Sequence, residues 1–408
     1  AFCAWNARRR AQNDGDVDDF EAAYTLFALG GGAWLLGQEL YRALTIQRAL
    51  VPAMVYLLIA VVVGFYALVA FILGLKWRHE TLRRGALGLA IGGAYLTAQS
   101  GLESSNLGWM PVWNARFAAF AASFVTLTLM GRALKRQNDA LSAFEPQIAG
   151  SWGVATALFG LWGASVELFF AFSQLTVLAG PRLNALMFSA SILWNLGAAL
   201  MLYFGCRWKQ ESLRVAALGV GSVAVFALLC AALTASSSLT AWRLMAFGVA
   251  LATLWWSQAQ LRRRETHLAP WERALPRQLR FLGLFLLLWA VTQESYEICR
   301  ASAPVLGPNW KRWAQMMVSL AWSLFGSLLL WGGIARRSQA ARLAALSLLS
   351  ATVVKVFLLD LSFLNGPARV ASLGGLGIAL IFISWLYSRF GTDKTISDAT
   401  FSAPSGTL

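Results

Sequence analysis

Long apolar runs alternate with short charged links along almost the whole chain. Stretches 55–75, 215–233 and 316–334 carry no formal charge. Each is about 20 residues long, enough for a helix rising about 1.5 Å per residue to cross a hydrocarbon core about 30 Å thick. Lipid offers no partner for an unpaired backbone group, so a spanning segment is a helix or part of a closed barrel. The period-two alternation of a barrel strand is absent, which leaves helices. Read this way, the pattern predicts an all-α polytopic membrane protein with about twelve transmembrane helices. Their approximate limits are 21–41, 52–75, 84–102 and 113–134; then 151–175, 184–206, 213–235 and 240–261; then 280–299, 314–335, 341–362 and 367–388.

The grouping in fours comes from repetition. Glu39, Glu167 and Glu294 recur at intervals of 128 and 127, each five residues after a tryptophan, Trp34, Trp162 and Trp289. Arg116, Arg243 and Arg369 recur at 127 and 126, each opening the last apolar run of its group. The link between second and third spans repeats as GLKWRHETLRRGAL at 74–87, GCRWKQESLRVAAL at 205–218 and GIARRSQAARLAAL at 333–346. A period of that size is the signature of tandem units. It predicts repeat unit 1 over 21–137, unit 2 over 150–264 and unit 3 over 279–390. Residues 1–20 read as the end of a preceding, truncated repeat followed by a cytoplasmic link, because Arg8 shifted by two periods falls on Arg262 in the LRRRE run. The segments around Phe144-Glu145 and Trp271-Glu272 read as interfacial, and the polar tail 391–408 as disordered.

Charge refines the picture. The chain has 34 Lys and Arg against 19 Asp and Glu, a formal balance of +15. Nucleic-acid binding would need a basic face on a soluble module, whereas these cations flank apolar spans. Most of them fall in the second-to-third links, the links between units and the two termini. The positive-inside rule therefore puts both termini in the cytoplasm, and four spans per unit make the repeats parallel rather than inverted. Cys3, Cys206, Cys230 and Cys299 form no CxxC pair, and the two histidines, His79 and His267, lie in links. No metal site or cofactor is expected.

The closing run TVVKVFLLDLSFLNGPARVASLGGLGIALIFISWLYSRF at 352–390 resembles the bacterial predicted membrane proteins of the family named domain of unknown function 2339. Lys355, Asp360, Leu361, Gly366, Arg369 and Val370 carry the resemblance, which extends more loosely over the rest of the chain. It implies a multi-pass protein of the bacterial inner membrane and longer family members. It brings no activity, cofactor or catalytic residue.

An ionisable group inside a span costs a few kcal/mol or more, so each one asks for a partner or a role. Glu39, Glu167 and Glu294 sit in the outer halves of first spans, and Arg116, Arg243 and Arg369 open fourth spans at the same level. The expected arrangement is three repeated Glu–Arg pairs, within a unit or crossing to its neighbour, because guanidinium can bond a carboxylate twice. Threefold repetition favours packing over chemistry for these. Lys355 and Asp360 occur only in the third unit, and five residues of helix set them about 140° apart. With Glu294, Glu297 and Arg369 they form a candidate outward-facing polar cluster. Asn195, mid-span, reads as an interhelical hydrogen-bond donor, and no unpaired proton-relay carboxylate is evident. Repeated tryptophans read as anchors or packing rings.

Nucleotide-loop, zincin and lipase motifs are absent, which removes those chemistries. Three readings remain. A transporter or translocator would bind a small ionic or lipid-like ligand at the polar cluster. A scaffold would organise envelope protein partners, and a membrane enzyme would act on a lipid-linked substrate with Asp360 or Glu297 as base. All place the protein in the lipid bilayer. Alkaline phosphatase fusions test the orientation: a fusion after residue 77 should be inactive and one after residue 107 active, and the reverse pattern would overturn it.

Overall fold

The computed structural model describes residues 17–46, 52–103, 114–136, 145–174, 182–234, 239–264 and 268–357, with 377–378, 381–382 and 384–385. Residues 1–16, Asp360, Arg369 with most of the span expected at 367–388, and the tail 391–408 lie outside them. The described residues are helical, without strands, and fall where the apolar runs lie. The helices are α1 (Val17–Ile46), α2 (Pro52–Lys76), α3 (Glu80–Glu103), α4 (Ala115–Arg136), α5 (Glu145–Gln174) and α6 (Arg182–Arg207). They continue with α7 (Glu211–Thr234), α8 (Thr240–Arg263), α9 (Leu275–Ala301), α10 (Trp310–Ala335) and α11 (Gln339–Lys355). Two compact units contain them, Ala1–Gly283 and Leu284–Leu408.

Among the described residues, 7 helices are long and apolar enough to cross a membrane. These are α2, α4, α5, α6, α7, α9 and α10, the last two together with flanking turns. Of the others, α11 has 17 described residues, and α3 and α8 are rich in Gly, Ala, Ser and Thr, the small residues that let helices approach closely. Side chains such as Phe65, Phe226, Leu320 and Trp331 stay exposed. An aqueous protein of this size would bury such surface, whereas hydrocarbon solvates it.

Each of the links at 74–87, 205–218 and 333–346 closes in the same way. The preceding helix ends on a residue with positive φ, Arg78 at 54°, Lys209 at 55° and Arg337 at 52°. The next amide, of His79, Gln210 or Ser338, donates back to the carbonyl of Gly74, Gly205 or Gly333 at 2.9 Å. This left-handed cap satisfies a carbonyl that the helix end would leave orphaned. The following helix then starts under its own cap: Ser338 Oγ and His79 Nδ1 accept from the amides of Ala341 and Leu82. The glycine is required by close approach. A Cβ at Gly74 would lie 2.7 Å from Arg83 Cγ, one at Gly205 2.8 Å from Arg214 Cγ, and one at Gly333 3.0 Å from the Arg342 amide nitrogen. The arginine lies across the helix end, and its guanidinium donates to the same carbonyl from Arg83 (3.4 Å) and Arg214 (3.5 Å).

In the first unit the link hairpins α2–α3 and α6–α7 are the most extensive packings, with α4 against α2 and α8 against α6. Phe71, Ala67, Ala86, Leu87, Met130 and Trp152 belong to one buried core, and Leu202, Leu213, Ala217, Leu261, Leu268 and Leu279 to a second. Between these two cores, α4 packs antiparallel on α5 through aromatic rings set over glycines. Phe120 covers Gly163, Phe124 covers Gly160, and Trp152 covers Gly131, in each case so closely that an added Cβ would sit 2.7–2.8 Å from the ring. Trp152 Nε1 also donates to the Leu127 carbonyl at 2.9 Å. In the second unit, α10 and α11 pack through Leu330, Ala345 and Leu349, and Gly326 admits the Leu349 side chain.

Gly205→Ala should therefore destabilise by about 1–3 kcal/mol, since the new methyl meets both the Arg214 side chain and its backbone nitrogen. Lys209→Gly, which removes the left-handed penalty, should stabilise by up to about 1 kcal/mol. Thermal unfolding of the purified protein in detergent reads both shifts.

Candidate functional site

The helix α4 begins at Asn114, whose Oδ1 accepts from the Phe117 amide and so caps the first turn. This places Arg116 in the first turn. Arg116 Nε donates to Glu167 Oε1 at 2.6 Å, and Asn114 Nδ2 donates to Glu167 Oε2 at 2.9 Å. The Arg116 guanidinium carbon lies 3.9 Å from the centre of the Phe170 ring, one turn beyond Glu167 on α5. Both charged side chains are buried, at 6% and 10% exposure. Each carboxylate oxygen has a donor and the guanidinium has an anion and an aromatic face, so the charge is satisfied without water.

The same logic holds at the opposite level of the first unit. Arg214, from α7, holds Glu272 through Nε to Oε1 at 2.7 Å and Nη2 to Oε2 at 2.8 Å. Glu272 lies in the single 3-10 turn Pro270–Ala274 that leads into α9, and its Oε2 also accepts from the Ala269 amide at 2.8 Å. Exposure of the two side chains is 5% and 0%. Trp271 points outward, with Nε1 donating to Glu211. The segment is thus exposed at its ring and buried at its acid.

Several expected placements need correction. Glu39 is 71% exposed and pairs with Arg42 on its own helix at 3.5 Å rather than with a fourth-span arginine. Arg116, by contrast, makes the expected Glu–Arg contact in its crossing form, to Glu167, because α4 packs lengthwise on α5. Asn195 donates to Ser191 within its own helix, at 2.8 Å to the carbonyl, and the bond between helices is made by Ser191 Oγ to the Ala224 carbonyl at 2.9 Å. Trp34 and Trp162 are exposed, whereas Trp289 is half-buried, and its buried Nε1 has no hydrogen-bond partner among the described residues. Arg243 is fully buried in the first unit, and Glu294 is half-buried in the second.

In the second unit Lys355 closes α11. Its Nζ donates to Ser319 Oγ at 2.6 Å and to the Gln315 carbonyl at 3.0 Å, both on α10. Glu297, on α9, is 7% exposed; Oε1 receives Arg300 Nη1 at 3.3 Å from the next turn of the same helix. Its Oε2 is buried and has no hydrogen-bond partner among the described residues. A buried acceptor left without a donor costs about 1–3 kcal/mol, more when charged, so it calls for an explanation. Tyr296 meets Trp310 edge-on at 5.6 Å beside it, and Trp322 Nε1 donates to Thr292 Oγ1 at 2.8 Å, as Trp194 does to Ser165 at 2.8 Å. Asp360 and Arg369, the remaining members of the expected cluster, lie outside the described residues.

The Arg214–Glu272 pair was not anticipated from sequence. Its signals were present: Arg83, Arg214 and Arg342 hold the tenth position of each link, and Glu145 and Glu272 are one period apart. The neighbouring aromatics, Phe144 and Trp271, pulled the reading toward an interfacial segment.

Residues 222–390 match the model of a family described as Predicted membrane protein (DUF2339), an interval that runs from within α7 through the expected 352–390 signature. No curated protein and no solved structure matches the chain. Replacing Arg214 by Met should destabilise by about 3–5 kcal/mol, because Glu272 keeps its burial and loses its cation. The double variant Arg214→Met with Glu272→Leu should recover most of that loss in thermal unfolding.

Proposed function

We propose that this membrane protein moves an ionic or amphiphilic solute through a polar cluster in the third four-helix repeat. Lys355, Glu294 and Glu297 contribute to it, and Asp360 and Arg369 complete it. The observation that carries the reading is Glu297: a carboxylate in an apolar helix, buried, with one oxygen lacking a donor among the described residues. Such an oxygen is satisfied when a cation or the donor group of a solute arrives, and intramembrane acids of this kind mark solute pathways. The fully bonded Arg116–Glu167 and Arg214–Glu272 pairs leave no acceptor open and make poor binding sites by comparison.

The wider frame is three tandem parallel repeats of four helices, twelve spans in all, in the bacterial inner membrane with both termini cytoplasmic. Support for it comes from the sequence period, from link caps that coincide in backbone geometry, and from the cation-rich links. A second reading, a scaffold for envelope proteins, draws support from the closed charge pairs, which join neighbouring elements and leave no acceptor open.

Proteoliposomes distinguish the two. The protein should accelerate transfer of a fluorescent phosphatidylglycerol between leaflets or dissipate an imposed ion gradient, and Glu297→Gln and Lys355→Met should each abolish the effect while the protein remains folded. Rates in both variants equal to wild type would reject transport through this cluster. Retention of co-purified partner proteins by both variants, without any transfer by the wild type, would favour the scaffold.

A further inference from the structure

In the first unit two separate elements bring cations onto one exposed aromatic surface. Trp208 lies in the α6–α7 link, about half exposed, and stacks on Phe204 with ring centres 4.7 Å apart. Lys135, from the last turn of α4, places its ammonium 5.1 Å from the centre of the Trp208 ring. Arg136 follows Lys135, and Arg207 and Lys209 flank Trp208; all four cations are exposed. Among the described residues none of the four forms an ion pair with a carboxylate. The nearest acid in sequence, Glu211, accepts from Trp271 Nε1 at 3.2 Å.

The other links differ. The first also carries an exposed tryptophan, Trp77, but the acid beside it, Glu80, is paired with Arg84 on the same helix. The third has Arg336 and Arg337 with no tryptophan. Among the described residues, the second link combines an exposed indole with a cation delivered from a different helix.

We infer that this surface is a binding site for the phosphodiester headgroup of an anionic phospholipid. The chemistry follows from position. Apolar spans end here, at the depth where indole rings sit with one edge in hydrocarbon and the other among headgroups. Uncompensated cations at that depth attract anionic lipid, each contributing independently and falling off within a Debye length. Trp208 and Phe204 offer a flat apolar wall to the glycerol and upper acyl carbons, while Lys135, Arg207 and Lys209 reach the phosphate. The left-handed backbone at Lys209 turns the chain so that Arg207 and Lys209 bracket the indole within one three-residue corner.

Lipid retention tests the site. The full chain is purified in mild detergent, incubated with phosphatidylglycerol or phosphatidylcholine, and the lipids retained are counted by native mass spectrometry. Wild type should retain phosphatidylglycerol over phosphatidylcholine. The triple variant Lys135→Gln, Arg207→Gln, Lys209→Asn, in which Asn keeps the left-handed corner, should lose that preference by at least about tenfold. A matched control, Arg336→Gln with Arg337→Asn, should retain it, and thermal unfolding without lipid should be unchanged in both. Equal loss in the control would show a diffuse charge effect and overturn the site. Unchanged retention in the triple variant would overturn it as well. Binding of glycerol phosphate as tightly as the lipid would assign the surface to a soluble phosphate and overturn the lipid assignment.

Discussion

A charge inside an apolar slab has to find its full set of partners within the protein, and that constraint organises this molecule. Arg116 and Glu167 meet it by joining α4 to α5, with Asn114 and Phe170 taking up the remaining valence of the pair. Arg214 and Glu272 meet it by joining α7 to the turn ahead of α9, with the Ala269 amide as third donor. In both cases the partners come from elements far apart in the sequence, so satisfying the charge also decides which surfaces meet. The rings of Phe120, Phe124 and Trp152 over their glycines then fix the register between them. Small residues give the close approach, and the ion pair selects one alignment among several that would pack comparably.

The links show the same economy at backbone level. A glycine carbonyl at the end of α2 or α6 receives the second residue of the corner and the arginine of the next helix, so a single acceptor ties the turn to the hairpin it creates. That arginine is the residue which, in the second link, goes on to hold Glu272. Loop geometry, hairpin packing and the contact to the next group are thus coupled through one side chain.

Much of this is legible in the sequence, and what is not has a physical cause. Span positions follow from hydropathy because a bilayer demands a fixed apolar length, and helices occupy the expected intervals wherever residues are described. The 127-residue spacing of Glu39, Glu167 and Glu294 is equally plain, but a one-dimensional period cannot say which arginine each acid meets. Glu39 finds Arg42 on its own helix and Glu167 finds Arg116 across an interface, although the three acids look equivalent. Asn195 shows the same limit, since a side chain can serve its own helix or its neighbour at one sequence position. Glu297 differs from Glu294 in sequence only by standing outside the repeat, with Phe170 one period earlier; that one of its oxygens lacks a donor among the described residues is a property of packing.

The account of the saturated pairs rests on the claim that Arg116 and Glu167 are each other's charge partner, with Asn114 and Phe170 completing the site. A charge-swap cycle measured by thermal unfolding tests this directly. Arg116→Glu and Glu167→Arg should each destabilise strongly, by about 3–5 kcal/mol, while the double swap should regain most of the loss. Single reversals tolerated like wild type, or a double swap no better than either single, would contradict the account.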